Sequence, residues 1–257
     1  MIRDFTHSIY EELLKAFKEA NYSFVTVREY FEKEPNTPLI IMRHDVDRYP
    51  NRSLEMAKLE YKLGVKATYY FRTIPQTFKP DIIKEIASLG HEIGYHYESL
   101  AQTDGDFNRA IEDFKRNLDA LREIADVKNI AMHGRPTSKW DSRWLWREFD
   151  YRDFGIISEP YFDIDFNRVF YATDAGRAWG DEGINLRDRV DSKFDLKISS
   201  TQDLIDAINN TLMPKEVMLN IHPEHWAKNR LQWYQIYVIR SLKNSAKRVL
   251  LKRRVKA

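Results

Sequence analysis

Cysteine is missing from all 257 residues, so neither a disulfide framework nor a thiolate metal site can be built. A surplus of one charge is missing too. The 41 Lys and Arg stand against 39 Asp and Glu, a net +2, which is too balanced for a protein whose main partner is nucleic acid. No stretch approaches the roughly 18 apolar residues of a membrane span. The opening MIRDFTHSIYEELLKAF mixes charges with apolar residues and lacks the unbroken apolar core of a signal peptide. With no cysteine, a reducing compartment fits, and a cytoplasmic location is the expectation.

What is present indicates a soluble globular chain. Hydrophobic residues make up 43% and charged residues 31%, and this length suits one α/β barrel domain. Helical spacing marks 8–20, with Ile9, Leu13, Leu14 and Phe17 on one stripe, then 53–63, 80–89, 106–125, 202–212 and the chain from Asn229 onward. Short apolar or β-branched runs mark strands at 39–42, 66–71, 92–96, 129–133, 153–158, 168–172 and 217–221. About seven strand–helix alternations predict a parallel sheet with crossover helices. No repeat or linker divides the chain, so we expect a single domain over 1–257, with 1–38 as a helical extension packed on it.

Four of these strands end in polar clusters: His44-Asp45-Val46-Asp47, His96-Tyr97-Glu98, His133-Gly134-Arg135 and His222-Pro223-Glu224-His225. They hold five of the seven histidines. Parallel strands deliver their C-terminal ends to one rim, where chemistry gathers in such folds. Residues i and i+2 of a strand share a face. Asp45 and Asp47 therefore face one site and His44 the other side; His96 pairs with Glu98, and His133 with Arg135. Carboxylate with imidazole suits zinc or another divalent first-row metal. His91 precedes a strand and is expected to be a structural hydrogen-bonding group.

These residues also carry a resemblance. From about Leu39 to Trp226 the chain resembles the polysaccharide deacetylases, carbohydrate esterases with a NodB-type domain. The marks are Arg43-His44-Asp45-Val46-Asp47, Gly64 to Phe71, Gly90-His91-Glu92-Ile93-Gly94-Tyr95-His96, Arg135-Pro136, and Leu219-Asn220-Ile221-His222-Pro223. The resemblance implies a distorted, incomplete (β/α) barrel with about seven parallel strands, and metal-dependent removal of an acyl group from a sugar. It implies Asp47 and His96 as metal ligands, Asp45 as catalytic base, Arg135 orienting that base, and His222 as general acid.

Two positions depart from the family pattern. Val46 stands where the family has its base, and Leu100 where it has a second metal histidine. The third ligand is then His133 or Glu98. The family's Asp-Trp support for the acid histidine is not evident, Asp174 being the candidate. His225 and Trp226 are expected to line a sugar subsite, as Trp140, Trp144, Trp146 and Trp179 can through their ring faces.

The function expected is a cytoplasmic deacetylase of an acylated amino sugar, nucleotide- or lipid-linked, that uses zinc. The alternatives are a silent barrel binding a glycan or biosynthetic partner, and hydrolysis of a non-sugar amide. From Lys243 to Ala257 there are seven Lys or Arg and no acid, either a solvated helix face or a peripheral contact with an acidic membrane surface.

Overall fold

The structure, a computed structural model, describes residues 3–33, 35–135, 138–180 and 188–254, with side chains to Ser245. Among the described residues, seven strands are β1 (Ser23–Val25), β2 (Leu39–Val46), β3 (Thr68–Phe71), β4 (Glu92–Tyr97), β5 (Ile130–Met132), β6 (Phe170–Thr173) and β7 (Glu216–Ile221). The helices are α1 (His7–Glu19), α2 (Val27–Lys33), α3 (Pro50–Lys62), α4 (Pro80–Ser88), α5 (Ser99–Gln102), α6 (Phe107–Arg122), α7 (Pro160–Asp163), α8 (Thr201–Asn209) and α9 (Arg230–Arg254). The strands run parallel in the order β5-β4-β3-β2-β7-β6. β1 lies beside the first half of β2, Ser23 opposite Leu39 and Val25 opposite Ile41. This is a distorted, incomplete (β/α) barrel, curled round its interior and left open between β5 and β6.

Seven strands were expected, but one of them differs. The run 153–158 forms a 3-10 turn over Tyr151–Phe154 and a single bridge, Asn129 to Ser158. Gly155 sits at φ +68°, a left-handed backbone that ends an extended run before it can pair. The remaining strand comes from 1–38: that segment gives the sheet β1 as well as helices.

Pleat parity decides what the barrel holds. Along β2, Ile40 and Met42 face the helices in one apolar cluster, whereas Leu39 and Ile41 face inward in another with Val25, Tyr70 and Met218. The inward series continues through Arg43, Asp45 and Asp47. The interior is therefore apolar at the strand N-termini and becomes polar toward the C-termini. Gly94 belongs to this design: a Cβ there would overlap the Tyr70 ring.

Outside the barrel, a second polar group ties α1 to the sheet. Thr6 caps α1 by accepting from the Ile9 N–H (3.3 Å), and Ile9, Leu13, Leu14 and Phe17 are buried, with α1 packed on α8. Tyr10, also on the buried stripe, donates to Glu60 of α3 at 2.5 Å. Glu60 is fully buried and accepts from Tyr69 (2.7 Å) and His44 (2.6 Å) as well. Burial alone would raise its pKa, but His44 and the other donors hold the carboxyl below its usual range. His44 thus faces the helices, as its parity requires. His91 is structural: it accepts from the Ala67 N–H (3.2 Å) and lies 3.0 Å from the Ala57 carbonyl.

Removing one donor from a buried carboxylate costs about 1.5–3 kcal/mol. Tyr10→Phe should lower stability by that amount in urea denaturation, and Glu60→Ala by about 3–5 kcal/mol, because it strands all three donors. A Tyr10→Phe cost below about 0.5 kcal/mol would mean that Glu60 does not hold α1.

Candidate active site

The strand C-termini converge as parity requires, and Asp47 lies at the meeting point. Its Oδ1 is 3.3 Å from His96 Nε2 and 3.4 Å from His133 Nε2. Each imidazole has its other nitrogen engaged: His96 Nδ1 lies 2.9 Å from the Ala131 carbonyl, and His133 Nδ1 lies 3.1 Å from Glu98 Oε2. Those acceptors require Nδ1–H, so in the neutral rings the Nε2 lone pairs both face Asp47. Asp47 Oδ1 is itself buried without a hydrogen-bond donor.

Three lone-pair atoms facing one another require a cation. A proton is the simplest: burial disfavours charge on His133, but Asp47 and Glu98 outweigh that and raise it to about 9. A divalent ion is the other. Two ligands of a tetrahedral ion with bonds of about 2.0–2.1 Å lie about 3.3 Å apart, which matches the two separations from Asp47. The three ligand atoms do not all lie within 4.8 Å of one another, so the two imidazoles flank Asp47 and would have to close in to share one ion. The donor set is one carboxylate and two imidazoles, each with Nδ1 held by a carbonyl or carboxylate, as metal-bound histidines usually are.

Glu98 is placed behind His133 and not beside Asp47. Arg72 Nε donates to Glu98 Oε1 at 2.7 Å, and Arg72 Nη2 donates at 2.5 Å. Burial would raise its pKa, but His133 and Arg72 bring it down to about 2. Leu100 is fully buried in the apolar cluster on the helix side, and the second imidazole beside Asp47 is that of His133.

Asp45 lies deeper, 1% exposed, its Oδ2 3.7 Å from His96 Nε2. The guanidinium beside it belongs to Arg43, which grips it at 2.8 and 2.9 Å, and Asn220 adds a third donor at 3.1 Å. Burial opposes the charge, but Arg43, His96 and His222 hold Asp45 below its usual range. Arg135 does not take the role expected of it. It is exposed and donates to the Ala101 carbonyl at 3.4 Å, because the chain turns outward after β5. Arg43 was not among the expected site residues; the signal that marks it is its parity with Asp45, two residues away.

Across the rim, His222 is held by Asp174. Asp174 Oδ1 accepts from the His222 backbone N–H (2.9 Å) and faces its Nδ1 at 2.7 Å. Asp174 Oδ2 accepts from Trp226 Nε1 at 2.7 Å. Burial would lower the pKa of His222, but Asp174, with Asp47 and Asp45 further off, raises it to about 10. Asp174, His222 and His225 form a compact buried triad with ligand atoms within 4.8 Å of one another. Its carboxylate already accepts three N–H bonds, and His225 is held neutral, down at about 3, by burial and by Arg240. That wiring suits positioning of His222 better than holding an ion.

His225 and Trp226 do not line a subsite: both are 0% exposed. Trp226 packs on Tyr10 and Phe5, ring centroids 5.0 and 5.4 Å apart, so its ring faces are already occupied. Trp179 is buried too. The space that opens at Asp47 is a cleft of about 1040 Å³ lined by Arg48, Tyr49, Arg72, Gln76 and Lys79.

No protein-family model matches the chain, and no curated protein matches it. Solved structures similar to it include a family 4 carbohydrate esterase from Bacillus anthracis, at 12% identity and TM-score 0.43, covering 95% of this chain and 90% of that one. A Streptococcus mutans CE4 esterase aligns at 12% identity and TM-score 0.45, covering 92% and 91%. A mutant of a CE4 family pseudoenzyme with restored enzymatic activity aligns at 13% and 0.42, covering 83% and 64%. Likenesses this distant carry no chemistry across to this chain; its own residues must supply the argument.

Divalent-metal content after dialysis should tell the roles of these groups apart. Asp47→Asn, His96→Ala and His133→Ala should each abolish retained zinc. Glu98→Gln should weaken affinity by about 10–100-fold, the usual cost of losing a partner behind a ligand. Retention by His133→Ala with complete loss in Glu98→Gln would exchange the two assignments.

Proposed function

We propose that this protein is a divergent member of the polysaccharide deacetylase family: a metal-dependent hydrolase that removes an acyl group, in the simplest case acetyl, from an amino sugar. The observation that carries this reading is Asp47 Oδ1 set between the Nε2 atoms of His96 and His133, with Asp45 on one side and His222 across the rim. Asp47, His96 and His133 would hold the ion, most simply zinc. When bound, such an ion lowers the pKa of water and polarises the acyl carbonyl.

The chain's own residues supply the proton transfers. Asp45, kept ionised by Arg43, takes a proton from the attacking water as the new carbon–oxygen bond forms. His222, kept protonated by Asp174, gives its proton to the sugar nitrogen as the carbon–nitrogen bond breaks, which makes the amine a competent leaving group. Arg43 and Asn220 position Asp45, and Asp174 and Trp226 position His222. The cleft beside Asp47 has room for a saccharide, and Arg48 and Lys79 on its wall suit a nucleotide- or lipid-linked sugar with a phosphate. A cysteine-free chain fits action in the cytoplasm on such a precursor.

One observation favours a second reading, a barrel that binds a glycan without turning it over. Asp45 is sealed, with both oxygens already bonded. Turnover of the zinc-loaded protein on acetylated amino sugars decides between them. Asp45→Asn should lower kcat/KM by about 10²–10⁴-fold with zinc retained. Zinc-loaded wild type that turns over no acylated sugar would leave the binding reading.

The Asp174–His222 pair predicts a pH signature. A histidine raised to about 10 stays protonated through neutral pH and loses its proton only as pH rises through that value. The alkaline limb of kcat/KM should therefore fall near 10, and Asp174→Asn should bring it down toward 6.5 or below, the ordinary histidine value. An unmoved limb would take His222 out of the proton transfer.

A further inference from the structure

α9 carries an apolar face that the rest of the described fold leaves exposed, apart from Arg3, which donates to the Tyr234 hydroxyl at 3.0 Å. Its packed side is clear: Ile236 is buried, Trp233 Nε1 donates to the Asp4 carbonyl at 2.7 Å, Arg240 donates to Glu224 at 2.5 Å and Asn244 to the Gly176 carbonyl at 2.9 Å. These residues recur at 233, 236, 240 and 244, one helical stripe. The opposite stripe should be the polar one in a helix that meets only water. It instead holds Leu231, Tyr234, Val238 and Leu242, at 70, 51, 54 and 68% exposure. Contiguous apolar surface of this kind marks an interaction site.

Charge decides what covers it. Between Arg230 and Ala257 there are nine Lys or Arg and no Asp or Glu. A second copy of this helix packed on the stripe would set two wholly cationic segments side by side, which like-charge repulsion opposes. An anionic lipid surface has the opposite sign and accepts apolar side chains below its headgroups. Among the described residues no helix is long and apolar enough to cross a membrane, so the fitting geometry is a helix lying in the interface, about 37 Å long at 1.5 Å per residue over its 25 residues.

We propose that α9 is a membrane-docking helix, inserting Leu231, Tyr234, Val238 and Leu242 between anionic headgroups, to which the net positive charge of the 230–257 segment draws it. The inference is independent of the hydrolytic reaction. It connects to it through one contact, since Arg240 of the packed stripe holds Glu224, two residues past His222. Lys243 lies close enough to the cleft residue Arg48 for the two charges to interact.

The test is cosedimentation of the full chain with vesicles of phosphatidylcholine, with or without roughly 30 mol% phosphatidylserine. Binding should be at least about tenfold stronger to the anionic vesicles and should weaken as salt rises from about 0.1 to 0.5 M. The double variant Leu231→Gln/Leu242→Gln should lose on the order of tenfold in binding or more, with its circular dichroism and zinc content unchanged. Absence of binding by wild type, or equal binding to both vesicle types, would overturn the proposal, as would undiminished binding by the double variant. A wild-type dimer in sedimentation velocity that the variant abolishes would show that a second copy covers the face instead.

Discussion

The bidentate pair between Arg43 and Asp45 is the contact on which the interior depends. Taking two charges out of water costs several kcal/mol per ion. Here that cost is offset by two short hydrogen bonds, a third from Asn220, and the Tyr70 and Tyr161 rings at 5.2 and 5.0 Å from the guanidinium. The pair also works across strands: Arg43 sits opposite Asn220 in the β2–β7 register and opposite Thr68 on β3. A slip of one residue would turn the pair toward the apolar helix layer. The buried charges therefore fix the register that aims Asp47 at the two imidazoles.

Two Asp–His constellations occupy the same rim and use the same chemistry in opposite senses. Around Asp47, each histidine has Nδ1 engaged elsewhere and aims Nε2 at the carboxylate, so lone pairs converge. At Asp174, the histidine directs Nδ1 to the carboxylate, so a proton is stored. Which ring nitrogen meets the acid follows from backbone placement: His96 and His133 lie beside a carbonyl and a glutamate, whereas His222 folds back onto the residue that accepts its own N–H.

Much of this was legible because it follows from strand parity alone. His44 facing the helices, Asp45 and Asp47 facing inward, and the meeting of His96 with His133 all follow from a period of two and a parallel sheet. What parity cannot reveal is where a chain leaves the sheet. Arg135 shares parity with His133 but lies beyond the end of β5, so its side chain goes to solvent. His225 and Trp226 lie in a turn after β7, where depth is set by Phe5 and Tyr10 from the far end of the chain. The strand expected at 153–158 failed at Gly155, whose backbone conformation no apolar pattern encodes. The basic tail from 246 onward, as a set of side chains, lies outside the described residues.

The docking of α1 has a consequence for how the chain is made. Ile9, Leu13, Leu14 and Phe17 find their cover on α8, and the Phe5 carbonyl accepts from the Ala227 N–H at 2.9 Å. Those partners leave the ribosome roughly 190 residues after α1 does, about 10–40 s later at ordinary elongation rates. Through that interval α1 presents an apolar stripe whose cover on α8 has not yet been made. The nascent chain therefore carries that stripe uncovered while the residues between α1 and α8 are made, and the fold can close over it only once α8 and Ala227 have emerged.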